Sequence, residues 1–196
     1  MKSYHGIMRL KKEYVDLFNN PILSLSISVG LVDEEDLYKW KFCLFGPKDT
    51  PYADGFFNLH LIFPKDYPEK NPEIVFLTPI YHPNVKHFKS EDIGESLGHV
   101  SVNFINWWKP ETTPREILTR LYSIFYWQNP ESPYSLDRAK EFMNNRLLFM
   151  QKACYFTKKY AKPGQKRKLY DKTWDFSYNE NDLNSLSSPI KERKMI

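Results

Sequence analysis

The sequence predicts an α+β domain, with helices at its two ends and an antiparallel sheet between them. Three observations predict it. Apolar residues recur at three- and four-residue spacing near the start, at Ile7, Leu10, Tyr14 and Leu17. Four short segments then alternate or run apolar with brief connections between them. After residue 84 the alternation stops and helical periodicity returns. Strands grouped together and helices grouped together mean helices packed on a sheet, and short connections favour an antiparallel meander.

Taken in order, the first helix stops near "NNP" at Asn19, Asn20 and Pro21. "SLSISV" sets Leu25, Ile27 and Val29 on one face and serines on the other, as in a half-buried strand. After the acidic turn "DEED" (33–36), "YKWKFCLFGP" alternates through Tyr38, Trp40, Phe42 and Leu44. "GFFNLHLIFP" alternates through Phe57, Leu59, Leu61 and Phe63, and "EIVFLT" is the fourth short apolar run. "TTPREILTRLYSIF" opens a helix, with Thr113 as the cap, Pro114 in the first turn and Glu116 completing a capping box. Its buried stripe is Ile117, Leu121, Ile124 and Phe125. "SLDRAKEFMNN" and "RLLFMQKACYFTKKYA" read as two further helices. One domain over residues 1–161 and a polar tail over 162–196 are expected. The tail carries "KRK" at 166–168 and also Trp174, Phe176 and Tyr178, uncommon in a purely solvated segment.

Composition bounds the function. Of 196 residues 41% are apolar and 16% aromatic, enough for a real core. The formal charge of +4 suits an acidic partner surface. No nucleic-acid motif accompanies it, so nucleic acid is not expected as a partner. Two cysteines, Cys43 and Cys154, are too few for a disulfide framework and read as core or face residues of a protein from a reducing compartment. Met1 opens a polar segment without the apolar run of a signal peptide, and no stretch approaches the roughly 20 apolar residues of a membrane span. A cytoplasmic or nuclear location, or both, is expected, without membrane contact. His and Cys are scattered with no metal-ligand spacing, so neither metal nor cofactor is expected.

Four stretches in fixed order carry a more specific signal: "FGPKDTPYADGFF", "FPKDYPEKNPEIVF", "YHPN", and "WWKP" before the capped helix. Together they resemble the ubiquitin-conjugating enzyme family over roughly residues 5–161. The resemblance implies that family's fold: an N-terminal helix, a four-stranded antiparallel meander, and C-terminal helices on the sheet. It also implies a chemistry. A ubiquitin-type modifier passes as a thioester from an activating enzyme to a cysteine of the conjugating enzyme, then to a lysine amine, directly or through a ligase. Attack on the thioester carbonyl makes an oxyanion that needs an aimed hydrogen-bond donor. By resemblance Asn84 of "YHPN" serves there or orders the adjacent loop, while Tyr81, His82 and Pro83 hold the turn. Ser132 in "NPESP" stands at the family's gate beside the attacking lysine; the alternative is an ordinary helix cap. Arg9, Lys11 and Lys12 on the first helix would meet the activating enzyme. Lys109, Pro110 and Glu111, with Glu69, would line the ligase-facing loops.

The sequence departs from the family where the chemistry is done. The family's cysteine follows "HPN" in a phrase like G-x-[IV]-C-[LV]; here "GHVSV" puts Ser101 in its place. A thiol with a reference pKa of about 8.5 supplies some thiolate at neutral pH, whereas an alcohol needs a dedicated base. His99, two residues away, is the one neighbour in sequence that invites that role. Asn84 and Ser101 lie 17 positions apart, about twice the family's spacing, with the polar insertion "HFKSEDIGESL" between them. Glu69 after "DYP" and Glu111 after "WKP" put acids on a surface usually apolar at its centre. Two functions follow. In the first, a catalytically inactive relative binds ubiquitin, a ubiquitin-like modifier or a conjugation partner. In the second, an active conjugating enzyme carries a Cys-to-Ser substitution that traps the modifier. Retention of Asn84 favours the second; the insertion, Glu69 and Glu111 favour the first.

Overall fold

A computed structural model describes residues 2–22 (side chains from His5), 28–86, 98–101 and 107–164. Helix α1 (Lys2–Asn19) precedes strands β1 (Ser28–Leu31), β2 (Lys39–Phe45), β3 (Phe56–Ile62) and β4 (Glu73–Phe76). Helix α2 (Pro114–Tyr122) runs into a 3-10 turn, Ser123–Phe125, and α3 (Leu136–Asn144) and α4 (Arg146–Tyr160) complete the chain order. The four strands form one antiparallel sheet in sequential order, the α+β meander expected. Leu25, Ile27, the insertion 87–97 and the tail's "KRK" and aromatics lie outside the described residues.

Register explains the burial. Trp40 pairs with Leu61, Phe42 with Leu59 and Leu44 with Phe57, and all six are buried on the inner face. Ile117, Leu118, Leu121, Ile124 and Phe125 pack in the same cluster, with Phe149, Ala153 and Phe156 of α4. A fully buried side chain of this size is worth about 1.5–3 kcal/mol relative to exposure, so this face decides the register. The start of α2 follows its sequence signal: the Thr113 side chain accepts from Glu116 N, the Glu116 carboxylate accepts from Thr113 N, and Pro114 opens the helix.

The motif residues between the strands hold loops at fixed places. Thr50 Oγ1 donates to Pro47 O at 2.8 Å, and Tyr52 Oη donates to Tyr81 O at 2.9 Å. At Gly46 a Cβ would stand 1.8 Å from Tyr52 O, so only glycine fits. Tyr67 Oη reaches Glu13 Oε2 on α1 at 2.7 Å, and Trp108 Nε1 donates to Pro68 O at 3.0 Å. The "DYP" and "WKP" loops are thereby tied to each other and to the first helix.

Candidate active site

The turn carrying Tyr81, His82, Pro83 and Asn84 is buried and meets residues 98–101 edge to edge. Gly98, at φ 75°, takes a left-handed conformation that glycine enters without strain, and the chain then lies against β4. Phe76 N donates to Gly98 O and Val100 N to Ile74 O. Val85 and Val100 bridge, and Ser101 N donates to Asn84 O at 2.9 Å. Ser101 thus sits directly against the Asn84 backbone, with 7% of its surface exposed. The 17-residue separation in sequence closes to one hydrogen bond in space.

His82 is wholly enclosed. Its Nδ1 accepts from Asn84 N at 3.0 Å, which leaves Nε2 to donate to Ile124 O at 3.0 Å. Burial pushes its pKa down to about 3, with the Ile124 hydrogen bond acting in the opposite direction. Both ring nitrogens are used in linking the turn to the end of α2, so the ring has no lone pair for a reacting group.

Asn84 is 3% exposed, and its side-chain amide is fully committed. Nδ2 donates to Asn129 O at 2.7 Å and Ser132 O at 2.9 Å, and Oδ1 accepts from Asn129 N at 2.8 Å. Both amide hydrogens therefore go to the loop 129–132, and a third bond returns from it. Sequence reasoning took retention of Asn84 as a sign of catalysis. The geometry gives it a structural reason to be retained, because no other side chain of this size offers two donors and an acceptor in one plane.

Ser132 enters this network through its backbone carbonyl. It does not cap α3: Ser135 does, with its side chain accepting from Arg138 N, which corrects the alternative reading of Ser132 as a cap. Pro83 O accepts from both Tyr134 N and Ser135 N, so the loop is fastened to the turn at each end.

Sequence reasoning missed the charged clamp behind Tyr81. Tyr81 Oη donates to Glu141 Oε2 at 2.6 Å, and Lys152 Nζ pairs with the other carboxylate oxygen. Arg138 lies over the Tyr81 ring, 4.3 Å from its centroid, and donates to Ile80 O at 3.1 Å. Arg138 and Lys152 are both buried. A signal existed in the sequence: Lys152 shares a helical face with Phe149, Ala153 and Phe156, where a charge has to be paired.

His99 turns away from the role its position invited. Its Nε2 lies 4.0 Å from Glu73 Oε2 on β4, and no hydrogen bond joins it to Ser101 among the described residues. Burial lowers its pKa, Glu73 opposes that and Lys86 adds to it. Neither cysteine replaces the missing thiol nearby: Cys43 is on the outer face of β2 and Cys154 on α4, and burial raises both pKa values. Among the described residues no group of three His, Cys, Asp or Glu is placed to hold a metal ion, and no helix is long and apolar enough to cross a membrane.

Comparison with known proteins matches the frame around this site. The family model described as ubiquitin-conjugating enzyme matches residues 9–157. The chain belongs to the ubiquitin-conjugating enzyme family. It is 36% identical over 154 residues to ubiquitin conjugating enzyme E2 B of Dictyostelium discoideum, covering 79% of this chain and 97% of that one. It is 34% identical over 161 residues to ubiquitin-conjugating enzyme E2 15 of Schizosaccharomyces pombe, covering 74% and 89%. A crystal structure of a candidate ubiquitin conjugating enzyme from Plasmodium yoelii superposes with a TM-score of 0.68 at 29% identity, covering 80% of this chain and 96% of that one.

The surfaces that would meet other members of a conjugation pathway divide in two. Lys11, Lys12, Glu69, Lys109, Pro110 and Glu111 are exposed. Arg9, expected to face a partner, is half-buried and spends its donors within the domain. Its Nε pairs with Glu13 at 2.8 Å, Nη1 donates to Pro110 O, and Nη2 donates to Thr112 O at 2.8 Å. A guanidinium with donors on several sides can hold α1 to the "WKP" loop where a lysine could not. Of the three bases named on α1, Lys11 and Lys12 are the fully exposed ones.

Proposed function

We propose that this family member works in ubiquitin-type conjugation without thioester chemistry. It binds ubiquitin, a ubiquitin-like modifier or a conjugation partner such as an activating enzyme, a ligase or another conjugating enzyme, in the cytoplasm or nucleus. The observation that carries this reading is the group beside Asn84. The residue there is Ser101, an alcohol, and the two described histidines beside it in the fold face elsewhere: His82 bonds Ile124 and Asn84, and His99 lies toward Glu73. Among the described residues no base is placed to take the proton of this hydroxyl, and a hydroxyl so placed is a poor acceptor for an acyl group. The exposed acids Glu69 and Glu111, on the loops that would face a ligase, further support a ligase-side partner different from the family's usual one.

The turn at 81–84 and its bonds to the loop 129–132 support a second reading, an active conjugating enzyme in which serine replaces the cysteine. One experiment separates the two. The chain is incubated with activating enzyme, ATP and modifier and run on a non-reducing gel. The first reading expects no conjugate. A base-labile conjugate that resists thiol supports the second, because an oxyester at Ser101 has those properties. A conjugate cleaved by thiol refutes both readings and points to Cys43 or Cys154.

A further inference from the structure

Among the described residues no helix packs on the outer face of β2 and β3; toward β4 the same face is covered, with Val75 buried beside His60 and bridged to His99. Its side chains come in register pairs: Lys39 beside Ile62, Lys41 beside His60, Cys43 beside Asn58, and Phe45 beside Phe56. The two ends differ. At one end Phe45 and Phe56 meet edge to face, with centroids 5.2 Å apart, and both are half-buried. At the other, Lys39 and Lys41 are exposed, and among the described residues neither forms an ion pair. Their positive field reaches His60, whose pKa is lowered by burial first and by both lysines next.

The chain leaves the domain at the aromatic end of this face. Ala161, just past α4, accepts a hydrogen bond from Phe56 N at 2.8 Å. The sequence beyond has complementary character. Residues 169–184, "LYDKTWDFSYNENDLN", carry Asp171, Asp175, Glu180 and Asp182 against the single base Lys172. Trp174, Phe176 and Tyr178 alternate with Asp175 and Ser177, so an extended chain presents the three rings on one side. Trp174 lies ten positions after Gly164, a reach of up to about 33 Å at ~3.3 Å per residue, which exceeds the roughly 23 Å length of a seven-residue strand such as β2. The family match ends at residue 157, and the Dictyostelium relative aligns over 97% of its own length but 79% of this chain. The tail is an addition to the shared domain.

We propose that the acidic, aromatic segment around Trp174–Tyr178 docks in cis on the outer face of the sheet, its rings against Phe45, Phe56 and Cys43 and the carboxylates of Glu180 and Asp182, which share the ring side of an extended chain, toward Lys39 and Lys41. Any partner that reads this face must displace the tail. This inference is independent of whether Ser101 can be charged.

Cys43, in the middle of the face, reports on it, and Cys154 on α4 is the internal reference. Alkylation of each thiol by iodoacetamide is followed by mass spectrometry in the full chain and in its Trp174→Ser, Phe176→Ser, Tyr178→Ser triple variant. Cys43 is expected to react at least tenfold faster in the triple variant while Cys154 keeps its rate. Lys39→Glu with Lys41→Glu, in the otherwise unaltered chain, is expected to speed Cys43 severalfold, and most at low salt. Equal Cys43 rates in the full chain and the triple variant, including no reaction in either, overturn the proposal. Protection that disappears on dilution from about 100 to 1 μM also overturns it, because the occupant is then a second copy.

Discussion

The turn at 81–84 and the rim formed by α1 with the "DYP" and "WKP" loops belong to the same family frame but are held in different ways. In the turn every polar side chain has a named partner: His82 is bonded at both nitrogens, Asn84 makes three side-chain bonds to one loop, and Tyr81 closes on Glu141. On the rim Lys11, Lys12, Glu69, Lys109 and Glu111 are exposed. A buried network fixes residue identity, since a lost partner leaves a desolvated group unpaired. An exposed rim fixes little. Retention of the turn therefore reports on folding, and the rim and Ser101 report on function.

The largest effect that sharpens this contrast is expected at Asn84. Asn84→Ala removes three bonds in the buried turn, and a loss of about 3 kcal/mol or more is expected, at about 1–3 kcal/mol per unpaired group. Denaturant unfolding measures it, and a loss under about 1 kcal/mol would place Asn84 outside the frame. Next comes pH. His82 has its folded pKa lowered to about 3, below an unfolded value near 6.5. Its contribution is fully present above about pH 6.5 and is lost as pH falls toward about 3, because the unfolded state binds the proton first. About 2 kcal/mol less stability is expected at pH 5 than at pH 7, with the ring still neutral by NMR in the folded state. A charged His82 ring in the folded protein at pH 5 would break the assignment.

A smaller effect is expected at the boundary between the two regions. Arg9→Ala removes two bonds to the carbonyls of Pro110 and Thr112, and a loss of about 1–2 kcal/mol follows. Hydrogen exchange should rise first in residues 107–112. On the rim itself, Lys11→Glu with Lys12→Glu should change stability by no more than about 0.5 kcal/mol. On a Ser101→Cys background the same pair should slow charging by an activating enzyme, more at low salt than at high salt. Equal charging rates at low salt would remove α1 from the docking surface.

Much of the fold was legible because it rests on local rules. Alternation in β2 and β3 places Trp40, Phe42, Leu44, Phe57, Leu59 and Leu61 inside, and Thr113, Pro114 and Glu116 announce α2. The position of Ser101 beside Asn84 was legible only through the family phrase. What periodicity and resemblance could not give was distant pairing. Arg9 reads as one more exposed base until Pro110 and Thr112, about a hundred residues later, come within reach. Asn84 reads either as an oxyanion donor or as the residue that orders the adjacent loop, and its bonds to Asn129 and Ser132 fit the second. Ser132 also reads as a helix cap until the bond from Arg138 N to the Ser135 side chain shows that the cap lies three residues later.

The central claim is that a sound conjugating-enzyme frame surrounds a residue that does not take up a modifier by thioester. The most direct test is a paired charging measurement on the chain and its Ser101→Cys variant, with activating enzyme, ATP and ubiquitin. The variant exchanges one atom for a slightly larger one, so the frame should tolerate it. The account predicts a thiol-sensitive conjugate with the variant and none with the unaltered chain. A thiol-sensitive conjugate with the unaltered chain, or none with a folded variant, would contradict it.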